Sequence, residues 1–323
     1  MLVLVTGGTG KVGNAIARAL VARGDEVRAL VRDPAAPLPD GVQAVRGDVT
    51  EPDSLAAAVD GCELVFNAMG IPEQWLADDD EFERVNARGT EAVVRVAVAA
   101  GVRRVVHTST IDVFHAEQGE RFDETRVADY PKGTAYERSK QRAEQLALAA
   151  AGSGTELVMV NPSAVYGPGP AGSASLERAL FEPIVNKRRS ALPALLRGGC
   201  GVVFSEGVAA GHLLAAELGR PGERYILSDR HVTLKGLAEA TVIAAGQGFV
   251  PPVLPAWLAG AMVAVGEPLA RLIGKPPLLP RGQHHFISWN AAPDSSKAQD
   301  ELGWEPTPLE TGLRETLRTM GLA

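Results

Sequence analysis

The sequence has few of the residues that build disulfides, metal centres or nucleic-acid sites. It contains only two cysteines, Cys62 and Cys200, and neither a Cys-x-x-Cys pair nor a histidine cluster at metal-ligand spacing. Neither a disulfide framework nor a metal site is therefore expected. It also lacks a long basic run, and its formal net charge is -7, which disfavours capture of nucleic acid. So few cysteines suit a reducing compartment, and we expect a cytoplasmic protein.

Targeting and membrane signals are also scarce. The first residues show no charged leader followed by a short apolar core and a cleavage site, so secretion is not expected. The longest apolar stretch, residues 253–273, carries Pro255, Glu267, Pro268 and Arg271, whereas a membrane-spanning helix needs about 20 mainly apolar residues. We expect no integral membrane segment but two helices that cover the core, with Trp257 buried; contact with a membrane surface or an apolar ligand is the alternative.

A strand followed by a glycine-rich turn opens the chain. The apolar residues 2–5 predict a buried strand that ends at Thr6, and glycines then recur every third residue at Gly7, Gly10 and Gly13. Glycine at the first position adopts backbone angles closed to other residues, the second lets the main chain approach a pyrophosphate, and the third lets the next helix pack closely.

The helix after this turn directs its unpaired amides and positive dipole end at the same place, which favours an anion there. A tight turn that binds nothing is the alternative, but the amphipathic helix that follows and a second strand at Val27–Val31 favour a dinucleotide site. The residues expected to bind its pyrophosphate are Gly7, Thr9, Gly10, Lys11, Val12 and Gly13.

Strands and helices alternate through the first half. Further strands are predicted at 42–46, 64–67 and 104–109, with a long helix at 81–100. This pattern predicts an α/β fold with a Rossmann-type doubly wound parallel sheet, and such sheets bind ligands beyond the carboxyl ends of their strands. The candidate cofactor residues at strand ends are Asp48, Val49, Ala68, Met69 and Gly70, with the Asp48 carboxylate placed to accept a hydrogen bond from an adenine amino group.

Two domains are expected. Residues 1–165, with return segments near 202–230, form the dinucleotide-binding domain, and residues 166–323 form a smaller, mainly substrate-binding region.

A tyrosine and a lysine four residues apart, Tyr136 and Lys140, lie on a predicted helix of residues 135–150. This spacing places both side chains on one helix face. A free tyrosine titrates near ~10, and a neighbouring ammonium favours the phenolate and lowers that pKa. Tyr136 is thereby expected to exchange a proton with a carbonyl or alcohol while a nicotinamide exchanges hydride.

These motifs together resemble the extended short-chain dehydrogenase/reductase superfamily, over essentially the whole chain. The resemblance rests on the glycine turn, the Tyr136/Lys140 pair, residues 108–110 (Thr-Ser-Thr) 26 residues before the tyrosine, and residues 161–169 (Asn-Pro-Ser-Ala-Val-Tyr-Gly-Pro-Gly). It implies that Thr110 positions the substrate oxygen and that Lys140 also holds the ribose. Further cofactor contacts follow at Thr108, Pro162 and Ser163.

The resemblance also implies a homodimer through the helices at 81–100 and 136–150, and a place near the cofactor for Asn86. For Asn86 a hydrogen bond to neighbouring backbone is the alternative. Ser109 adjoins Thr110, but only one of the two is expected to face the substrate, because side chains alternate along a strand.

The residues at the end of the second strand indicate whether the cofactor is NAD or NADP. An acid there bonds both ribose hydroxyls of NAD, whereas an arginine pairs with the 2'-phosphate of NADP. Arg32 comes first and Asp33 second, so we favour NADP, with NAD as the alternative.

Residues 159–163, Met-Val-Asn-Pro-Ser, resemble the dihydroflavonol reductase and 3β-hydroxysteroid dehydrogenase branch, where sugar-nucleotide epimerases usually show Arg-Tyr-Phe-Asn. The resemblance implies an NAD(P)-dependent oxidoreductase that acts on a ketone, aldehyde or secondary alcohol of a small molecule. An epimerase or dehydratase that retains its cofactor, and a non-catalytic cofactor-sensing protein, are the alternatives.

Overall fold

The computed structural model describes residues 1–152, 154–170 and 176–323. The strands within these ranges are β1 (Leu2–Thr6), β2 (Glu26–Val31), β3 (Val42–Arg46), β4 (Leu64–Asn67), β5 (Arg104–Thr108), β6 (Arg121–Phe122), β7 (Glu156–Pro162), β8 (Ala164–Tyr166), β9 (Gly199–Phe204), β10 (Arg224–Leu227), β11 (Arg230–Thr233) and β12 (Ala292–Pro293).

The α-helices are α1 (Lys11–Arg23), α2 (Ala56–Val59), α3 (Asp80–Phe82), α4 (Gly89–Ala99), α5 (Ala135–Ala151), α6 (Glu182–Val185), α7 (Ser205–Leu218), α8 (Leu234–Ala245), α9 (Ala256–Ile273), α10 (Arg281–Trp289), α11 (Ser296–Leu302) and α12 (Leu309–Thr319). Short 3₁₀-helices lie at Pro52–Ser54 and Ile111–Val113, and π-helical turns at Glu83–Arg88 and Glu177–Phe181.

A seven-stranded sheet with the order β10-β7-β5-β4-β1-β2-β3 forms the centre of the fold. Every neighbouring pair in it is parallel. The chain leaves β1 toward β2 on one side and later returns to pair β4 on the other, so the strand order reverses between β1 and β4. In open parallel sheets this reversal creates the crevice in which ligands bind.

Helices cover both faces of the sheet, each over its own hydrophobic core. On one face, apolar residues of α1, α7 and α11 pack against β1, β5, β7 and β10, with Trp304 buried among them. On the other face, α2, α4 and α5 pack against β1, β4 and β5. The strands are buried on both sides, as their continuous apolar runs predict, and the predicted Rossmann-type doubly wound sheet is confirmed.

The second half of the chain builds a further layer beside the carboxyl ends of the strands. A small sheet with the order β11-β9-β8 packs with α6, α8, α10 and α12 around a third core that contains Tyr166 and Phe181. The chain also returns to the large sheet, because β10 pairs β7 at its edge and α7 packs on α1.

The prediction of two core-covering helices at 253–273 is wrong. A single helix, α9, runs from Ala256 to Ile273 and contains Pro268. A proline inside a helix removes one N–H donor, but it need not end the helix. Its apolar side chains are mostly exposed; Trp257 is 74% exposed and Leu272 83%. In the described part of the chain, α9 is the one helix long and apolar enough to cross a membrane.

Candidate active site

The glycine turn closes tightly between β1 and α1. Gly7 has φ +72°, and a Cβ there would lie 2.6 Å from the carbonyl oxygen of Ala68, which directly follows β4. A Cβ at Gly13 would lie 2.2 Å from the Gly7 carbonyl oxygen. Both positions therefore require glycine for the packing of the protein itself, and Gly7 brings the turn into the crevice between β1 and β4.

Gly10 differs from Gly7 and Gly13, because the packing of the fold constrains it much less. Its φ of -92° and ψ of 168° are open to any residue, and the nearest atom to an added Cβ is the Gly7 carbonyl oxygen at 3.3 Å. The missing side chain leaves a free approach to the N-terminus of α1. A dinucleotide pyrophosphate, which must come close to this backbone, fits that open space.

The N-terminus of α1 has unpaired amides at this place. Gly10 is its N-cap and provides no side-chain hydrogen bond, so the first-turn amides of Lys11, Val12 and Gly13 have no partner within the helix. Thr9 is exposed at the tip of the turn. Donors with a positive dipole end behind them suit a phosphate.

The Lys11 ammonium is bound elsewhere, which the sequence did not predict. Its Nζ lies 2.5 Å from Glu177 Oε2, and both side chains are buried. Burial lowers the pKa of Lys11, against the charge of Glu177, which raises it. Glu177 Oε1 also accepts a hydrogen bond of 2.6 Å from the Gly167 amide. This ion pair joins the glycine turn to the second half of the chain, and Lys11 offers the turn its backbone amide.

The strand ends beside the turn carry the residues expected around the adenosine. Asp48 accepts hydrogen bonds from the Thr50 amide at 2.9 Å and the Thr50 hydroxyl at 2.8 Å. Burial alone would raise the pKa of Asp48, but these bonds and the charges of Arg32 and Arg84 hold it below its usual value. Arg84 was missed by the sequence analysis, because only the fold brings its helix to β3.

Val49 and Met69 pack together against the helix that follows them. A Cβ on Gly89 would lie 2.8 Å from Val49 Cγ2 and 3.1 Å from Met69 Cε. Gly89 therefore lets α4 approach these two residues closely, next to Ala68 and Gly70 at the end of β4.

Arg32 and Asp33, after β2, have different surroundings. The Asp33 Oδ1 atom accepts a hydrogen bond of 2.9 Å from the Ala35 amide, so this carboxylate caps its own turn. Arg32 is exposed, and its charge acts on Asp48. Arg32 and Arg84 both act on the Asp48 carboxylate at this end of the crevice.

The predicted long helix at 81–100 is present, but a π-helical turn at Glu83–Arg88 interrupts it. That turn contains Asn86, whose Oδ1 accepts a bond of 2.7 Å from the Ile71 amide and whose Nδ2 donates to Ser139 Oγ at 3.1 Å. Ser139 in turn donates to the Tyr136 carbonyl oxygen at 2.7 Å. Asn86 thus links the end of β4 to the start of α5, through both backbone and side-chain contacts.

Tyr136 is the second residue of α5, and the start of this helix is fixed by a capping box. Thr134 Oγ1 accepts from the Glu137 amide at 3.1 Å, and Glu137 Oε2 accepts from the Thr134 amide at 2.8 Å. The Tyr136 ring meets Phe82 edge-on, with 6.1 Å between ring centroids. These contacts hold the ring at the carboxyl ends of the strands.

The Tyr136 phenol does not have the lowered pKa that the sequence predicted. Burial raises its pKa well above the usual value, the negative charge of Asp112 raises it further, and the Thr110 hydroxyl opposes this. Lys140 Nζ instead donates to the Thr108 carbonyl oxygen at 2.8 Å. Burial lowers the pKa of Lys140 to about 8, against the charges of Glu144 and Asp112. The protein's own residues therefore keep Tyr136 protonated at neutral pH.

The three hydroxyl residues after β5 have separate partners. Thr108 Oγ1 lies 2.8 Å from His212 Nε2, while His212 Nδ1 bonds the Val208 carbonyl oxygen. Ser109 Oγ is buried and has no hydrogen-bond partner among the described residues. Thr110 Oγ1 donates to Asp112 Oδ2 at 3.1 Å. Of Ser109 and Thr110, it is Thr110 that acts on the Tyr136 phenol.

Residues at the end of β7 contact the hydroxyl residues that follow β5. Asn161 Nδ2 donates to the Thr110 carbonyl oxygen and to Glu144 Oε1, each at 3.0 Å. Pro162 is buried, and the Ser163 hydroxyl is a buried group without a hydrogen-bond partner in the described chain. An unpaired buried hydroxyl at a strand end is suited to a ligand.

A buried polar network that the sequence analysis missed lies beneath the glycine turn. Thr6 Oγ1 donates to Asn67 Oδ1 at 2.6 Å, and Asn67 Nδ2 lies 3.1 Å from His107 Nδ1 and 3.3 Å from Thr90 Oγ1. Burial and the charge of Lys140 lower the pKa of His107 well below its usual value. One signal was available: polar Thr6, Asn67 and His107 each stand at or near the end of an otherwise apolar strand.

Comparison with known proteins bears on the family. A model of the NAD dependent epimerase/dehydratase family matches residues 3–227. The chain is 32% identical to sterol demethylase protein B of Methylococcus capsulatus, over 98% of this chain and 97% of that protein. It is 33% identical to a 4-hydroxy-2-methyl-3-oxo-4-farnesyl-3,4-dihydroquinoline-1-oxide ketoreductase of Stigmatella aurantiaca, over 100% of this chain and 97% of that protein.

The crystal structure of gox2253 has the same fold, with a TM-score of 0.81 at 29% identity over 99% of this chain and 98% of that one. The family model, the two relatives and this structure agree with the resemblance that the sequence motifs predicted. The chain belongs to the NAD dependent epimerase/dehydratase family, among the extended short-chain dehydrogenases/reductases, and is an NAD(P)-dependent enzyme.

Proposed function

We propose that the protein is an NADP-dependent reductase that converts a ketone of a small organic molecule to a secondary alcohol. The observation that supports this proposal is the position of the Tyr136 phenol, held at the carboxyl ends of the strands beside the Thr110 hydroxyl and protonated at neutral pH. A protonated phenol is a proton donor, and reduction of a carbonyl requires one at the oxygen.

The roles of the side chains follow from their contacts. Tyr136 donates the proton to the carbonyl oxygen, and Thr110 binds that oxygen with a second hydrogen bond. Lys140 uses one of its three N–H groups on the Thr108 carbonyl, which leaves two for the ribose. The bound nicotinamide supplies the hydride. Residues 1–165, with the returning segments near 202–230, hold the cofactor.

We assign residues 166–323 mainly to the substrate. A cavity of about 520 Å³ that lies mainly in this region supports the assignment, and its lining is mixed, with Leu196 and Ala259 beside polar residues such as Arg197. The names of the two relatives favour a bulky, largely apolar substrate, because they refer to a sterol and to a farnesyl-bearing ketone.

The direct test follows cofactor and product together. With a panel of apolar cyclic ketones, we expect NADPH to be oxidised in a 1:1 ratio with alcohol formed, measured by absorbance at the nicotinamide band and by mass spectrometry. An epimerase or dehydratase would instead retain its cofactor through purification and show turnover without net NADPH consumption, and that result would replace the proposal.

Replacing Arg32 by alanine tests the choice of NADP. We expect KM for NADPH to rise about tenfold, because an exposed arginine–phosphate pair is worth less than a buried one. KM for NADH should stay nearly unchanged, since NADH has no 2'-phosphate. Steady-state kinetics with both cofactors provide the measurement.

Arg103→Ala is the matched control, because Arg103 is also exposed but lies at the amino end of β5. It should leave both KM values unchanged. A wild-type enzyme that uses NADH as well as NADPH would contradict the role of Arg32.

We further propose a cytoplasmic homodimer, without an integral membrane segment, that joins through α4 and α5. These helices pack together over the same core, and Leu148 of α5 is 39% exposed. Light scattering during size-exclusion chromatography should give about twice the chain mass of 33.9 kDa, and Leu148→Glu should halve it.

A further inference from the structure

Asp112 is a buried carboxylate in contact with a candidate catalytic residue. It lies in the 3₁₀-helix after β5 and is 7% exposed. Its Oδ2 accepts the hydrogen of the Thr110 hydroxyl at 3.1 Å, and its own amide donates to Thr110 Oγ1 at 3.3 Å. The single hydrogen of the Thr110 hydroxyl is therefore directed at Asp112.

Charged and titratable groups from several elements face this carboxylate. They are Lys132 before α5, Tyr136, Glu137 and Lys140 on α5, and Cys200 on β9. Burial is the largest influence and the charge of Glu137 the second, and together they raise the pKa of Asp112 to about 7 against the opposing effects of Lys132, Thr110 and Lys140. Both protonation states of Asp112 are thus populated near neutral pH.

The two states have opposite effects on Thr110. An ionised carboxylate can only accept hydrogen bonds, so it takes the Thr110 hydrogen. A protonated carboxyl group can donate to Thr110 Oγ1, which frees the Thr110 hydrogen for another acceptor. A substrate carbonyl oxygen is also an acceptor only, and it gains a hydrogen bond from Thr110 in this second state alone.

We propose that Asp112 is a positioning residue that decides whether the Thr110 hydroxyl donates to the substrate oxygen: protonated Asp112 permits this bond and ionised Asp112 withdraws it. The inference rests on the proposed function, in which Thr110 and Tyr136 bind the carbonyl oxygen together. The inference adds that pH controls the rate of ketone reduction, because the protonation state of Asp112 decides which acceptor the Thr110 hydroxyl binds.

The wild-type enzyme should therefore lose activity as the pH rises past 7. A pKa near 7 leaves about one tenth of Asp112 protonated at pH 8, so kcat/KM for ketone reduction should fall about tenfold between pH 6 and pH 8. Cofactor affinity, measured by titration with NADPH at each pH, should change by only about twofold, because Lys140, with a pKa of about 8, loses about half of its charge by pH 8.

Asp112→Asn is the decisive variant. Its side-chain amide donates to Thr110 Oγ1 at every pH, as the protonated acid does. We expect it to retain the wild-type rate at pH 6 and to lose the fall between pH 6 and pH 8. A variant with the same tenfold fall as the wild type would overturn the role of Asp112.

A second measurement does not depend on activity. The ¹³C signal of the Asp112 carboxyl group in the wild-type protein, assigned by its absence from Asp112→Asn or by selective labelling, should titrate near pH 7. Titration below pH 5 would overturn the proposal.

The variants Tyr136→Phe and Asp112→Asn together distinguish a failure of this inference from a failure of the proposed function. If Tyr136→Phe is inactive while Asp112→Asn keeps the wild-type pH profile, the proposed function stands and this inference fails. If Tyr136→Phe is active, the proposed function itself fails.

Discussion

Tyr136→Phe should lower kcat for ketone reduction by about 10²- to 10⁴-fold, the usual contribution of a positioned proton donor. The substitution removes one oxygen atom and keeps the ring, so the edge-on contact with Phe82 remains. We expect the affinity for NADPH to change by less than about threefold, because pyrophosphate binding lies at the other end of the site. Steady-state kinetics and a cofactor titration on one preparation measure both quantities.

Tyr166→Phe is the matched control. Tyr166 is a fully buried tyrosine whose pKa is likewise raised by burial, and its hydroxyl packs at Gly312 without a hydrogen-bond partner among the residues described. Its loss should leave kcat within about threefold of the wild type. Equal losses in both variants would mean that Tyr136 supports the fold and takes no part in the chemistry.

The parts of the site that could be predicted from sequence depend on local chemistry. A glycine with positive φ, such as Gly7, and a pair four residues apart on a helix, such as Tyr136 and Lys140, keep the same geometry in any context. Strand ends were predictable for a related reason, since parallel strands present their carboxyl ends at one edge of the sheet.

The parts that could not be predicted depend on surroundings from distant segments. The pKa of Tyr136 is set by burial and by Asp112 rather than by the lysine nearest in sequence. The Lys11 ammonium finds Glu177, 166 residues away. The apolar pattern of α9 resembles that of a core helix, because composition alone does not say which elements cover a helix.

Gly10→Ala should weaken cofactor binding with little effect on the stability of the fold. The backbone angles at Gly10 suit alanine, while the Gly7 carbonyl oxygen, 3.3 Å from the added Cβ, must shift slightly, so the free energy of unfolding should change by no more than about 1 kcal/mol. The added methyl group occupies the approach that the pyrophosphate needs. Overpacking of this kind costs about 1–3 kcal/mol, so the Kd for NADPH should rise about 10- to 100-fold.

Gly13→Ala is the control that distinguishes a glycine required for the stability of the fold from one required for cofactor binding. There the added Cβ would lie 2.2 Å from the Gly7 carbonyl oxygen, so the strand and helix must move apart, at a cost of roughly 3 kcal/mol in the free energy of unfolding. Urea denaturation should show this loss in Gly13→Ala alone, and calorimetric titration should show weakened NADPH binding in a fully folded Gly10→Ala. Wild-type affinity in Gly10→Ala would mean that the pyrophosphate does not approach the backbone at Gly10.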